Sequence, residues 1–275
     1  MTTTKNPAHE GLSDAAIGGF DSGVGGLTVL HEIVRALPAE ETIYLGDTGR
    51  APYGTKSAET ITRYTLESVD FLVGRGIKLL VVACNSASAV ALDVIRARWS
   101  VPVIGVIDPG ARAAVERTRT GRVGVVGTEA TISSGAYTRA LRQLGPSLEI
   151  YLRACPLFVP LAEEGWTEGP IARLVAETYL ASLARSGIDT LVLGCTHYPL
   201  LKPLIAEVMG PDVAIVDSAE ETAREVAAAL GEGGLARTDG RGGTSFFATD
   251  VPERFVRMGQ RFFGAHVESV VRIER

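Results

Sequence analysis

Cysteine is scarce in this sequence, and the marks of a secreted, membrane-bound or nucleic-acid-binding chain are missing. Three cysteines, Cys84, Cys155 and Cys195, stand among 275 residues. No two of them form a C-x-x-C pair, so neither a local redox motif nor a disulfide framework is written here. No apolar run reaches the roughly 20 residues that a bilayer-spanning helix requires. The opening stretch MTTTKNPAHEGLSDAA holds no hydrophobic segment, which excludes a secretory signal and predicts a flexible polar tail over residues 1–14. Positive charge is also in deficit. The formal net charge is −5, which argues against a nucleic-acid groove or a membrane surface as partner. The four lysines are Lys5, Lys56, Lys78 and Lys202, and none has the context of a Schiff-base lysine. Together these absences predict a cytoplasmic protein whose reduced thiols serve chemistry before cross-linking.

What is present is a regular alternation. Short apolar, β-branched runs occur at 17–20, 42–47, 78–84, 101–108, 122–128, 148–155, 190–195 and 213–217, with amphipathic segments between them. Strands that stay apolar without polar alternation belong to parallel sheets covered on both faces. Leu27, Leu30, Val34 and Leu37 form one stripe of a predicted first helix that Pro38 ends. The class is α/β.

The chain also resembles itself. GIKLLVVACNSAS at 76–88 and GIDTLVLGCTHYP at 187–199 place Cys84 and Cys195 at the same offset from Gly76 and Gly187. IGGFDS resembles VGVVGT, and VPVIGVID ending at Asp108 resembles VAIVD ending at Asp217. The copies lie about 106 to 111 residues apart. This predicts two similar α/β domains related by pseudo-two-fold symmetry, with parallel sheets flanked by helices and an active site in the cleft between them. The first domain would be discontinuous, 15–108 plus 217–275, and the second would span 109–216. GEGGLARTDGRGG at 231–243 is predicted to be a flexible loop. A strand at TSFFATD, a helix with Phe255, Met258 and Phe262 on one face, and a last strand at HVESVVRIE follow it and pack back onto the first domain.

Each repeated cysteine closes a strand and precedes a helix. Asn85 and Ser86 are placed to cap a helix starting near Ala87, and Thr196 to cap the next. In α/β sheets sites form beyond the carboxyl ends of strands, where the helix dipole favours thiolate. A single cysteine there would be read as a small buried hydrophobe. Two at matching positions, each followed by polar residues, point to function, and Cys155 without a counterpart is structural. Thiols on opposite faces of a substrate suit inversion of a stereocentre, one removing a proton from carbon while the other delivers one. A zinc site from Cys84, Cys195 and His197 lacks an anchoring ligand pair, so no metal is predicted. DSGVGGLT fails the dinucleotide fingerprint at Thr28, and GRAPYGTKS fails the phosphate-loop pattern at Thr55.

Five motifs in order, FDSGVGGLTV, YLGDTGRAPYG, ACNSAS, CPLFVPLAEEG and GCTHYPLL, resemble glutamate racemases of the cofactor-independent aspartate/glutamate racemase family. The resemblance runs from about residue 17 to about 230. Many members carry threonine where this chain has Ser86. It implies interconversion of L- and D-glutamate without a cofactor, supplying D-glutamate for peptidoglycan, by a homodimer. It implies Cys84 as the base toward D-glutamate and Cys195 as the base toward L-glutamate, each the acid in reverse. Asp21 would assist the first thiol and His197 the second, with Glu163 in an auxiliary role. Asp21, Ser22, Tyr53, Gly54, Asn85, Ser86, Thr196 and His197 would hold the substrate, joined by Thr128. The neighbouring alternatives are a racemase for aspartate or another amino acid, and a two-lobed protein that binds an acidic amino acid without turnover.

Overall fold

The computed structural model describes residues 13–263 and 267–274. The tail expected over 1–14 falls almost wholly outside these residues, as does His266. The chain runs β1 (Ile17–Asp21), α1 (Leu27–Ala36), β2 (Thr42–Gly46), α2 (Ala58–Val73), β3 (Leu79–Val82), α3 (Asn85–Arg98), β4 (Val103–Gly105) and α4 (Ile107–Arg117). A second run follows: β5 (Arg122–Gly127), α5 (Glu129–Ser133), α6 (Ala136–Leu144), β6 (Glu149–Ala154), α7 (Phe158–Glu164), α8 (Gly169–Arg185), β7 (Thr190–Gly194), a 3₁₀ turn (Tyr198–Leu201), α9 (Lys202–Met209) and β8 (Ala214–Asp217). The chain closes with α10 (Ala219–Glu232), β9 (Thr244–Ala248), α11 (Pro252–Phe263) and β10 (Val271–Arg272).

Every described strand pairing is parallel. The strand order is β10-β9-β2-β1-β3-β4 in one sheet and β6-β5-β7-β8 in the other. Taken in chain order, both sheets share one core: second strand, first, third, fourth. The internal repeat is therefore a repeat of topology, and β9 and β10 extend the first copy beyond β2.

The unbroken apolar strands follow from burial on both faces. Leu80 and Val82 point to a cluster with Ile61, Leu72, Ala91 and Ile95 of α2 and α3. Leu79 and Val81, one residue out of phase, point to Ile33 of α1 and to Val226 and Leu230 of α10. The period of two assigns neighbours to opposite faces, and helices cover both. In the second sheet Val123 and Val125 face Tyr137 and Leu141 of α6, while Leu191 and Leu193 face Ala176 and Leu180 of α8. Helix α1 feeds two clusters, because Leu27 and Leu30 meet Phe255 and Met258 of α11 while Val29 and Ile33 face α10.

Several local expectations are corrected. β4 stops at Gly105 and Asp108 lies in the first turn of α4, whereas Asp217 does end β8. Helix α3 begins at Asn85 with Cys84 in the capping position, so Asn85 and Ser86 are not its caps. Thr196 does not cap the turn that follows; His197 occupies that position. The Gly-rich segment after α10 is tied down: Arg237 N–H donates to Glu40 Oε1 at 2.7 Å, and Gly242 N–H to the Pro38 carbonyl at 3.0 Å. Lys78 helps to fix it. The Lys78 ammonium is fully buried, 2.5 Å from Glu40 Oε2, and donates to the carbonyls of Ser13 and Leu235. The last strand covers only Val271 and Arg272. Among the described residues no helix is long and apolar enough to cross a membrane.

Candidate active site

The carboxyl ends of the central strands of both sheets converge. Asp21 ends β1, Cys84 follows β3, Thr128 follows β5 and Cys195 follows β7. The two thiols are 5% and 6% exposed, so this centre is closed off from bulk water. Next to it lies an open cleft of about 460 Å³, which reaches the centre through Gly54, Thr128 and Glu163 and is lined by neither thiol.

Around the first thiol, the Sγ of Cys84 donates to Ser22 Oγ at 3.6 Å. The wholly buried Asp21 accepts from Gly23 N–H at 2.9 Å. Burial pushes the Asp21 carboxyl up, against the opposing pull of His197 and of the Gly23 and Gly26 backbone. Burial, reinforced by Asp21, pushes the Cys84 thiol up to about 12.

The second thiol is built differently. His197 Nδ1 lies 3.9 Å from Cys195 Sγ, and its Nε2 lies 3.1 Å from Glu163 Oε1. Burial disfavours the imidazolium, but Cys195 and Glu163 on its two sides outweigh that and raise it to about 10. Glu163 is held low despite its partial burial, chiefly by His197 and then by Arg254. Of the adjacent carboxylates it is Glu163, not Glu164, that reaches His197. Arg254 of α11 approaches Glu163 Oε2 at 3.5 Å, Arg261 donates to the Glu163 carbonyl, and Phe262 packs edge-on against the imidazole at 5.3 Å between centroids.

Between the thiols the two halves interlock. Thr196 Oγ1 donates to Asp21 Oδ1 at 3.4 Å, and Thr28 Oγ1 to the Thr196 carbonyl at 3.3 Å. The loop carrying Gly54 docks on Thr128, with Ala130 N–H donating to the Gly54 carbonyl at 2.9 Å. Ser86, Thr128 and Thr131 form a hydroxyl triangle with sides of 2.9, 3.3 and 3.0 Å. Tyr137 donates to Asn85 Oδ1 at 2.8 Å.

Most residues singled out in the sequence thus meet at one centre. Tyr53 is differently engaged. Its hydroxyl is buried against Asp47, a carboxylate that also takes Arg50 and Thr249, so the phenol is not available to a ligand. Cys155 is wholly buried beside Phe158 and Tyr198, and burial pushes its thiol up to about 12. Thr131, Tyr137, Arg254 and Phe262 were not visible as site residues. They reach the centre across large sequence separations, and no local pattern marks them.

Residues 17–226 match the family described as Asp/Glu/hydantoin racemase. A glutamate racemase of Geobacter metallireducens is 60% identical over 259 residues, covering 94% of this chain and 96% of its own. Among solved structures, a glutamate racemase isoform from Bacillus anthracis superposes with a TM-score of 0.92 at 41% identity, covering 95% of this chain and 98% of its own. The glutamate racemase of Francisella tularensis, solved in complex with D-glutamate, gives a TM-score of 0.90 at 36% identity over 95% of this chain and 98% of its own.

Proposed function

This chain belongs to the Asp/Glu/hydantoin racemase family, and from that premise we propose that it interconverts L- and D-glutamate by a two-base mechanism without a cofactor, supplying D-glutamate for peptidoglycan. One observation carries the mechanism. Two sheets of the same strand order each present a buried thiol at the end of the matching strand, β3 and β7, and the neighbours of those thiols are hydrogen-bonded to each other.

Cys195 takes the α-proton of L-glutamate while Cys84 delivers a proton to the other face; the roles reverse for D-glutamate. The surroundings suit that assignment. Burial and the neighbouring Asp21 favour the protonated form of Cys84, the form that delivers a proton to the carbanion formed from L-glutamate. Cys195 sits beside an imidazolium that supplies a counter-charge as it takes up or gives back a proton. The α-hydrogen is far less acidic than a thiol, so the transient carbanion must be met by fixed donors in a site that excludes water. Ser86, Thr128 and Thr196, the Asn85 amide and the backbone at the start of α3 can hold the carboxylates. Asp21 can meet the ammonium or take up a proton. Lys78 and Lys202 are committed to Glu40 and Asp217, away from this chemistry.

The test uses purified protein with D-glutamate in D₂O and no added cofactor, following the Cα proton by NMR and the handedness by circular dichroism. Exchange with loss of optical activity is expected. Exchange of aspartate but not of glutamate would move the specificity. Binding without any exchange would overturn the enzymatic reading.

A pH experiment tests the second thiol's support. His197 is raised above its ordinary value, so its charge and the stability linked to it are fully present below about 6.5 and are lost as the pH rises through about 10. Glu163→Gln removes one of the two groups that sustain the imidazolium. The alkaline fall of kcat/KM should move down by about one pH unit or more, with kcat reduced about tenfold at neutrality. An unmoved alkaline limb would detach Glu163 from the proton path.

A further inference from the structure

Asn85 is the first residue of α3 and is 3% exposed. Its two amide ends are treated unequally. Oδ1 accepts the Tyr137 hydroxyl at 2.8 Å, while Nδ2 is buried and has no hydrogen-bond partner among the described residues. A buried amide NH₂ without an acceptor is disfavoured, and native proteins seldom keep one without a use. The phenol reaches Asn85 from the other half of the molecule, because Tyr137 stands on α6. Two glycines make room for it. A Cβ at Gly194 would lie 2.9 Å from the Tyr137 ring, and one at Gly110 would lie 3.3 Å from its hydroxyl.

An amide can present either a donor or an acceptor. Which end it turns toward a ligand is decided by what holds the other end. We propose that Tyr137 is a positioning residue that holds the oxygen end of Asn85, so that Nδ2 is turned toward a carboxylate of the substrate. The phenol suits this task because it is a donor throughout the working pH range: burial, followed by Cys195 and Asp108, raises it well above an ordinary tyrosine. The contact also ties substrate recognition in the first half to α6 in the second, so Asn85 is correctly turned only when the halves are together. The inference rests on the reading of Asn85 as a substrate-holding residue.

The test is a double-mutant cycle on Tyr137→Phe and Asn85→Ala, read as KM and kcat for D-glutamate, with Tm measured alongside. Phenylalanine keeps the ring between Gly110 and Gly194 and removes only the donor. Tyr137→Phe is expected to raise KM about tenfold with kcat within about threefold. Asn85→Ala raises KM at least as much, and adding Tyr137→Phe to it changes KM no further. An unchanged KM in Tyr137→Phe, a multiplicative effect in the double variant, or a fall in Tm and kcat without a change in KM would each overturn the inference, while the KM effect of Asn85→Ala would leave the proposed function standing. If Asn85→Ala alone leaves KM unchanged, the substrate-holding reading of Asn85 fails and this inference fails with it.

Discussion

Cys84→Ala and Cys195→Ala should each lower racemisation by about 10⁴-fold or more, yet each should keep a different half of the chemistry. With Cys84 gone, Cys195 can still remove the α-proton of L-glutamate, but no acid stands on the far face. The carbanion is then reprotonated from the side it left. In D₂O, L-glutamate should exchange its Cα hydrogen and keep its handedness, while D-glutamate stays inert. Cys195→Ala should show the mirror pattern, with exchange of D-glutamate only. Cys155→Ala makes the same chemical change at a thiol enclosed by Phe158 and Tyr198, and exchange of both enantiomers should survive it. NMR of the Cα proton beside chiral chromatography reads all of this. Exchange of the same enantiomer in both variants, or racemisation surviving in either, would refute the assignment of one face to each thiol.

Gly25→Ala is expected to lower kcat about 100-fold, because small displacements of catalytic groups are costly, with a much smaller effect on Tm. Gly25 has an ordinary φ, so its backbone conformation does not require glycine. Space does. A Cβ there would sit 2.4 Å from Thr196 Oγ1, 2.5 Å from His197 Nδ1 and 2.6 Å from His197 Cε1. These atoms belong to the other half of the molecule and lie at the second thiol. Relief comes only by turning His197 away from Cys195 and Glu163, or by moving the halves apart. Either interrupts the proton path, and neither opens a cavity in a hydrophobic core. Kinetics and thermal melting of the one variant decide it. An unaltered kcat would mean that the contact between the Ser22–Gly26 loop and Thr196-His197 is incidental.

How much could be read beforehand depended on the range of the forces. Buried parallel strands are written locally, so β1, β2, β5 and β7 lie within a residue or so of their expected limits. The repeat was legible because both copies kept glycine, apolar strand and cysteine in register. The end of β4 was not: apolar residues run through Ile107 in either state, and the turn into α4 is set by packing against α6 and the second sheet. The polar residues after each cysteine looked like helix caps because serine, threonine and asparagine most often are. Here Ser86 is drawn to Thr128 and Thr196 to Asp21, partners 42 and 175 residues away. Tyr137 and Arg254 carry no local mark at all. What they do is decided by which residue the fold brings opposite them.

The position of the closing elements along the chain has a consequence for synthesis. The second sheet is complete once Asp217 has emerged, whereas the first still lacks β9 beside β2, and α11 has yet to arrive beside Glu163 and His197. On the ribosome the later-coded half can therefore finish before the earlier-coded one, a reversal of the usual vectorial order. Strand β2 must wait, with one edge uncovered, until β9 arrives to pair with it. A nascent chain can hold both thiols and still lack the helix that flanks one of them, so catalytic competence would be acquired only once α11 has emerged and docked.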